Sequence, residues 1–509
     1  MKKILIPVLA IILVSSCTKE LEELNVNKTS PTSVNPTFLL NTAILNSAFN
    51  GASVMMDMGV VQQIVAPFGG VLAGANFNQD IRDNTGSLWH SYFQGAVKQT
   101  YDIISTTRDN PDRSNLYNMA RIFRAFAYLI LTDEYGDIPY TQGGAGYKEQ
   151  IFFPSYDKQS DIYADIIKEL REAGAALDNS KAIESADLLY AGNISKWKKF
   201  ANSVLLRAGM RLSKVDPSRA QTIVQEAAGK ELILQNEDNA YVRHDVTYTM
   251  PIGGMLNSTE AANFYLTKPF VDQLKNTNDP RLSAIAIRYK GAKSGPEQTV
   301  GNSSSAAADQ IGMPMGFNSV SIVAQAQSDG LASFYDYSQA DRRRIVKSTS
   351  PTFYVTASQT NLLLAEARFR GWITTSSVEQ YYEDGIAAHM GQMAQYDAAS
   401  AVSAGDQAAY IAANPLEAGK ELEQINTQYW ISSFLNGPEA FANFRRSGYP
   451  ALTPNPYGQP NNPDVPQGTF IRRMTYPLSE ISSNSEHLDA AIANQGPDKL
   501  STRIWWDKE

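Results

Sequence analysis

Apolar residues recur every three to four positions along most of the chain after Pro36, and this spacing predicts amphipathic helices. The helices come in pairs, residues 88–104 with 116–131 and residues 161–177 with 194–212. Pairs spaced by about 30–40 residues are typical of tetratricopeptide-like stacking, although no strict repeat is visible. The predicted fold is therefore mainly α, a tetratricopeptide-like scaffold of helical pairs with long irregular loop insertions and little β.

Local signals place some of the helix ends. Asp216 followed by Pro217 is typical of an N-cap with proline at the first helical position. Ser376 and Glu379 have the spacing of a capping box. Three insertions, rich in glycine, proline or small polar residues, interrupt the helices at about 67–86, 236–350 and 450–470. Long insertions on a rigid scaffold are common sites of binding.

The beginning of the chain is typical of a lipoprotein signal peptide, at residues 1–16. Two lysines precede an apolar run at residues 4–14, which is too short to span a bilayer as a permanent helix. The only cysteine, Cys17, follows as the predicted lipidation site and opens a flexible tether over residues 17–35. An ordinary signal peptide with an incidental cysteine is the alternative. Residues 36–509 are then predicted to form a single domain.

Charge and motif content disfavour several function classes. The 44 Lys+Arg against 52 Asp+Glu give a net charge of −8, which argues against nucleic-acid binding. Four scattered histidines lack metal-ligand spacing, so neither a metal nor a cofactor is predicted. The chain contains no strong catalytic motif, and the protein is predicted not to be an enzyme. A glycosidase-type carboxylate pair nevertheless stays open; for the cluster of Asp133, Glu134 and Asp137, capping and turn formation are the simpler explanation.

Aromatic residues divide between helices and insertions. Those expected to pack in the core or in a packed tail are Trp89, Trp197, Trp372, Trp430, Trp505 and Trp506. Those in loops are harder to bury, and the predicted ligand-binding set is Phe68, Phe77, Tyr248, Phe317, Phe334, Tyr335 and Tyr337. The polar neighbours of Phe77 complete the set with Asn78, Gln79 and Arg82. An aromatic platform beside amide and guanidinium donors suits a sugar ring, whose apolar face stacks while its hydroxyls form hydrogen bonds.

The chain contains a series of motifs that resembles the SusD/RagB nutrient-binding outer-membrane lipoproteins of Bacteroidetes. The motifs cover nearly all of the mature chain, and their order along it is part of the resemblance. They are Cys17, 35–40, 135–139 (YGDIP), 197–203, 206–207, 364–367, 371–372, 381–386, 428–430, 436–440, 444–450, 472–477 and 505–507. The resemblance implies a tetratricopeptide-like scaffold and a lipid anchor in the outer membrane, with the protein facing the exterior. It also implies a SusC-like TonB-dependent transporter as partner.

The function that the resemblance implies is the capture of oligosaccharides, or of other oligomeric nutrients such as peptides, and their delivery to the transporter. Two other functions stay open: a helical-repeat scaffold that binds only protein partners, and a surface glycoside hydrolase. The family motifs look structural, so the predicted ligand-binding residues rest on the loop aromatics and not on the resemblance.

Overall fold

Amphipathic helices form most of the protein in the computed structural model, which describes residues 35–49, 51–68, 73–257, 261–455 and 465–509. Cys17, the signal peptide and the tether up to residue 34 lie outside the described residues. The helices of ten or more residues, labelled in chain order, are α1 (Pro36–Asn46), α2 (Gly51–Val60), α6 (Lys98–Thr107), α7 (Ser114–Tyr135), α9 (Gln159–Ala176), α10 (Ile194–Arg211), α11 (Pro217–Ala228), α16 (Ala357–Phe369), α17 (Val378–Tyr396), α18 (Ala404–Ala413), α19 (Glu421–Ser432), α20 (Gly437–Ser447) and α22 (Ser485–Gln495).

Shorter helices connect them. They are α3 (Ala73–Phe77), α4 (Arg82–Thr85), α5 (Ser87–Tyr92), α8 (Gly146–Glu149), α12 (Pro251–Leu256), α13 (Lys268–Asn276), α14 (Arg281–Ile285), α15 (Ser321–Ser328) and α21 (Leu478–Ser483). A π-helical turn, Phe93–Val97, joins α5 to α6 without a break. Consecutive helices pack in pairs, α7 against α6 and α9, α10 against α9 and α11, and α16 against α17. The predicted mainly α scaffold of helical pairs is therefore confirmed.

Two of the helix starts test the sequence signals directly. Asp216 accepts a hydrogen bond from the backbone N–H of Arg219, as expected of the N-cap of α11. The start of α17 lies one residue later than expected, because Ser377 accepts from the backbone N–H of Gln380. Ser376 instead adopts a left-handed conformation with φ of 57°. Both serines precede a helical sequence, so their spacing to Glu379 or Gln380 alone does not decide between them.

Strands are few and short, as predicted. They are β1 (Ile64–Val65), β2 (Ala240–Val242), β3 (Tyr265–Leu266), β4 (Ala286–Tyr289), β5 (Ser303–Ser304), β6 (Gln339–Ala340) and β7 (Thr352–Val355). All pairs are antiparallel: β1 with β3, β2 with β7, and β4 between β5 and β6. In β1–β3, Ile64 lies opposite Leu266.

The first two insertions are more regular than the sequence suggested. Residues 67–86 contain α3 and α4, and residues 236–350 contain α12 to α15 and five of the strands, β2 to β6. The prediction of irregular loops there is wrong in this respect. Their short elements are stabilised by contacts distant in sequence, which local patterns do not reveal. The described residues of the third insertion, 450–455 and 465–470, form neither helix nor strand.

One hydrophobic core extends through the helical scaffold, from Leu40 on α1 to Trp506 near the end of the chain. The tryptophans buried in it are Trp89, Trp197, Trp430 and Trp506, which confirms their expected packing. Trp372 and Trp505 are half-buried. Since a buried tryptophan removes a large apolar area from water, these side chains contribute strongly to stability.

Charged side chains are also buried inside the scaffold. Arg211 on α10 donates from Nε to Asp133 Oδ2 at 3.0 Å and from Nη2 to Glu439 Oε2 at 2.8 Å. Asp133 also accepts from the indole Nε1 of Trp506 at 2.8 Å. Capping and turn formation therefore do not explain Asp133, whose partners are distant in sequence. They do explain Asp137, which accepts from the backbone N–H of the first residue of α9 at 2.8 Å.

Candidate ligand-binding surface

The first two insertions meet beside the β1–β3 pair, and one buried asparagine joins them. Asn76 Nδ2 donates to the carbonyl oxygens of Ala66 and Phe317, each at 3.0 Å. Its Oδ1 accepts from the backbone N–H of Gly316 at 2.7 Å. Because a buried amide that loses its partners is costly, the two bonds to Gly316 and Phe317 fix these residues against the first insertion.

Beneath this junction lies a small hydrophobic cluster, which we term the insertion core. Its buried members are Val65, Tyr265, Met313, Met315, Ile322, Ala326, Leu331, Phe334 and Tyr337. Phe68 packs edge-to-face on Phe334 with ring centroids 5.4 Å apart, and Tyr335 lies against the same ring at 4.2 Å. Phe317 also packs against the insertion core. The structure thus brings together five of the predicted ligand-binding aromatics, from segments about 250 residues apart.

These five rings differ in how much of each reaches solvent. Phe68, Phe317 and Tyr335 are half-buried. Phe334 is only 8% exposed, and Tyr337 has no exposed surface. The Tyr337 hydroxyl donates to Asp329 at 2.6 Å, which satisfies its polar end inside the fold. Phe334 and Tyr337 therefore support the half-exposed rings from below.

The remaining predicted residues lie elsewhere or have other partners. Phe77 and Asn78 are buried at the end of α3, and Gln79 is half-buried beside them. Arg82 Nη1 donates to Asp498 Oδ2 at 2.6 Å and to the carbonyl oxygen of Tyr476 at 2.9 Å, so its guanidinium binds the C-terminal segment.

Tyr248 is separate from the insertion core. It lies in the loop after β2 and is 59% exposed. Its carbonyl oxygen lies 3.0 Å from Nδ1 of the buried His244, so the loop is anchored while the ring remains in solvent.

Sequence reasoning missed several residues at this surface. Asn76, the junction residue, precedes the predicted Phe77 but gave no signal of its own. Val320 and Val323 are exposed, because Ile322 and Ala326 form the buried face of α15. The apolar spacing at positions 322 and 326 could have identified that face. Together, the half-exposed Phe68, Phe317 and Tyr335 with Val320 and Val323 form what we term the insertion surface.

The chemistry of the insertion surface suits binding. Ring faces and methyl groups offer an apolar platform. The amides of Asn318 and Gln325 already have partners: Asn318 Oδ1 accepts from the backbone N–H groups of Val320 and Ser321, and Gln325 Nε2 donates to Asp329 Oδ1 at 2.9 Å. In the described part of the chain, no group of three or more His, Cys, Asp or Glu side chains could hold a metal ion. Likewise, no helix among the described residues is long and apolar enough to cross a membrane.

A pair of carboxyl groups does exist, but it lies inside the scaffold. Asp57 on α2 and Glu134 on α7 are both buried. Burial raises the pKa of Glu134 to about 8, against the opposing effect of Arg445, and also raises the pKa of Asp57. A glycosidase pair must reach the scissile bond from a cleft. Neither of these carboxyl groups has the exposed surface that such contact needs.

The profile of a protein family, SusD-like, described as "Starch-binding associating with outer membrane", matches residues 27–477. The chain belongs to this SusD-like family. No curated protein sequence matches this SusD-like chain.

Solved structures agree with the SusD-like assignment. A chitin-binding protein is 29% identical with a TM-score of 0.81, over 93% of this chain and 100% of that chain. A SusD-like structure from Bacteroidetes AC2a is 26% identical with a TM-score of 0.81, over 94% of this chain and 100% of that one. A SusD homolog from Bacteroides uniformis shares the fold at 23% identity, with a TM-score of 0.75 over 93% and 99% of the two chains.

Proposed function

We propose that this SusD-like protein is a non-catalytic, cell-surface binding protein for oligosaccharides. The insertion surface would hold the ligand. The observation that carries the proposal is the set of three half-exposed rings, Phe68, Phe317 and Tyr335, which pack against the insertion core. Asn76 joins the two insertions that carry these rings. Because the rings are held in place before binding, little side-chain entropy is lost when a sugar ring stacks on them. The family description and the similar chitin-binding protein support a saccharide ligand.

Delivery to a SusC-like TonB-dependent transporter and attachment through a lipidated Cys17 complete the proposal. The family's association with the outer membrane supports both. Mass spectrometry of the mature N-terminus should find an acylated Cys17. Purification from membranes should recover a β-barrel transporter with the protein. An unmodified N-terminus on a protein released into the medium would contradict the anchor.

Calorimetric titration tests the binding. Chito-oligosaccharides, malto-oligosaccharides and short peptides are titrated into the folded protein. We expect a saccharide to bind and Phe317→Ala to weaken it by roughly three- to tenfold, the usual value of one aromatic contact. Phe369→Ala, at the end of α16 and 40% exposed, is the matched control and should bind normally.

The same titration distinguishes the other functions. If only peptides bind, the ligand of this protein is a peptide and not a saccharide. No binding of any ligand by a folded protein would favour a scaffold for protein partners. Release of shorter sugars from the bound oligosaccharide would show a hydrolase and contradict the proposed absence of catalysis.

A further inference from the structure

Three exposed apolar side chains lie where the described chain begins. Phe38 on α1 is 54% exposed, and Ile183 and Leu188, in the connection between α9 and α10, are each 47% exposed. A single exposed apolar side chain is common, but a group of them marks an interaction surface. We term the surface formed by α1 and residues 181–188, with these three side chains, the tether face.

The point where the chain enters the fold is fixed by hydrogen bonds. Asn35 Oδ1 accepts from the backbone N–H of Thr37 at 3.1 Å and from Arg113 Nη2 at 3.3 Å. Arg113 Nε also donates to Glu184 Oε1 at 3.0 Å, and the other carboxylate oxygen of Glu184 accepts from Thr37 Oγ1 at 2.6 Å. The predicted tether therefore leaves the body directly beside Phe38.

The two segments of the tether face are also joined to each other. Asn41 Nδ2 donates to the carbonyl oxygen of residue 186 at 2.8 Å, and its Oδ1 accepts from the backbone N–H of Leu188 at 3.0 Å. Residues three apart in a helix are neighbours on its surface, so Phe38 and Asn41 lie on the same side of α1. Ile183 directly precedes Glu184, which binds α1 through Thr37. The three apolar side chains therefore belong to one surface.

The tether face has no exposed acidic side chain, although the chain contains 52 acidic residues. Helix α1 contains no charged residue at all. Within residues 181–188, all of which the structure describes, the acids are Glu184 and Asp187, and both are buried. Asp187 accepts from the indole Nε1 of Trp197 and from the backbone N–H of Leu189, each at 2.8 Å. Both carboxylates are therefore satisfied inside the fold.

Acidic side chains at the edge of the tether face are accompanied by basic ones. Hydrogen bonds from Ser180, and then the charges of Lys181 and Lys198, lower the pKa of the exposed Asp178. An apolar centre with charged side chains only at its edge suits the boundary between the headgroups and the acyl chains of a bilayer.

The length of the predicted tether favours a lipid surface as the partner. A flexible segment of about 18 residues has a root-mean-square span of roughly 25 Å. A lipid on Cys17 would therefore keep the tether face close to the bilayer. One flexible anchor leaves the orientation of the body free, and stable attachment through acyl chains commonly combines two signals.

We infer that the tether face contacts the lipid surface of the outer membrane, with Phe38, Ile183 and Leu188 at the boundary between headgroups and acyl chains. This contact would orient the body, with α1 towards the bilayer. The inference rests on the lipidated Cys17 proposed above.

The single cysteine of the chain permits a site-specific test. Lipidation blocks the thiol of Cys17, so Leu188→Cys provides one reactive thiol in the full-length lipoprotein. It is labelled with an environment-sensitive fluorophore, and the protein is reconstituted into vesicles of phosphatidylethanolamine and phosphatidylglycerol. We expect the emission to shift to shorter wavelength and to be quenched by spin-labelled lipid. Ala164→Cys, exposed on α9 about 18 Å before the end of that helix, is the matched control and should show neither effect.

A charge on the tether face tests the apolar contact. Phe38→Asp, combined with the label at Leu188→Cys, should remove most of the shift and of the quenching, because a carboxylate is costly to remove from water. Tyr147→Asp is the matched control and should retain both effects, since Tyr147 is 84% exposed on α8, outside the tether face. The Tm of each variant shows whether the body remains folded.

The number of labelled thiols separates failure of the anchor from failure of the contact. Two labelled thiols per chain would show a free Cys17 and would overturn the anchor and the inference together. One labelled thiol with unshifted emission at Leu188→Cys would overturn the inference alone.

Three further outcomes would assign the tether face to another partner or remove its specificity, and each would overturn the inference. A shift in the unlipidated Cys17→Ser variant without vesicles would show that another part of the chain covers the face. A shift that requires a β-barrel transporter in the vesicles would show a protein partner. Equal quenching at Ala164→Cys would show that the body has no preferred orientation on the bilayer.

Discussion

The buried pair of Asp57 and Glu134 predicts that the protein loses stability as the pH rises through the neutral range. The four carboxyl oxygens receive no hydrogen bond from any other described donor. A hydrogen bond between the two groups requires a proton on one of them. Burial raises the pKa of Glu134 from 4.5 to about 8, so the folded protein keeps a proton there that the unfolded chain releases above pH 4.5.

The expected size follows from this proton. Between about pH 4.5 and 8 the folded state binds one proton more than the unfolded state at Glu134. The free energy of unfolding should therefore fall by about 1.4 kcal/mol per pH unit from this group alone. The contribution is fully present below the unfolded pKa and is lost as the pH rises through the folded value.

Urea unfolding at pH 5.5, 6.5 and 7.5, followed by tryptophan fluorescence, measures the slope. In Glu134→Gln the amide stands permanently in place of the protonated carboxyl, so the slope should become shallower by about 1.4 kcal/mol per pH unit. Glu379→Gln, a change in an exposed side chain of α17, controls for the loss of one carboxylate. If Glu134→Gln and the wild type had the same slope, the retained proton would be refuted.

Two further predictions concern single contacts. Glu366 is buried, but Arg446 and then Arg370 outweigh burial and lower its pKa to about 2. Arg446→Ala should therefore lower the free energy of unfolding, measured in urea, by about 3–5 kcal/mol, because it leaves a buried carboxylate without its main partner. Arg370→Ala removes the more exposed partner and should lower it by under about 1 kcal/mol. Equal losses in the two variants would contradict this. Asn76→Ala should speed amide hydrogen exchange at residues 316–317 and weaken saccharide binding, while amide protection in α7 is unchanged; normal exchange at 316–317 would show that Asn76 does not fix the junction.

The helical scaffold could be predicted from the sequence because each helix depends mainly on residues that are close to one another in the chain. The apolar spacing at 116–131 and 194–212 indicated α7 and α10, and both helices form there. The spacing did not reveal that the second half of each helix is buried on all sides. The N-cap at Asp216 also depends only on neighbours in the chain. Elements whose stability depends on residues nearby in sequence can therefore be predicted without the structure.

The candidate site could be predicted only in part, because its contacts join distant segments. The loop aromatics were identified, but the packing of Phe68 on Phe334 links two insertions across 266 residues, and no local pattern indicates it. Trp505 packs against the core as expected, but its aromatic neighbour Tyr163 also comes from a distant segment and could not be predicted. Asn76 was missed because its three partners lie in two segments, one of them far along the chain.

The position of Trp506 has a consequence for folding during synthesis. Its indole binds Asp133, 373 residues earlier in the chain, inside a core that α7 helps to build. While the polypeptide is being synthesised, this buried acid lacks one of its donors until residue 506 has emerged. Contacts between residues so far apart in sequence form more slowly than local ones, so the helices can form before this bond does.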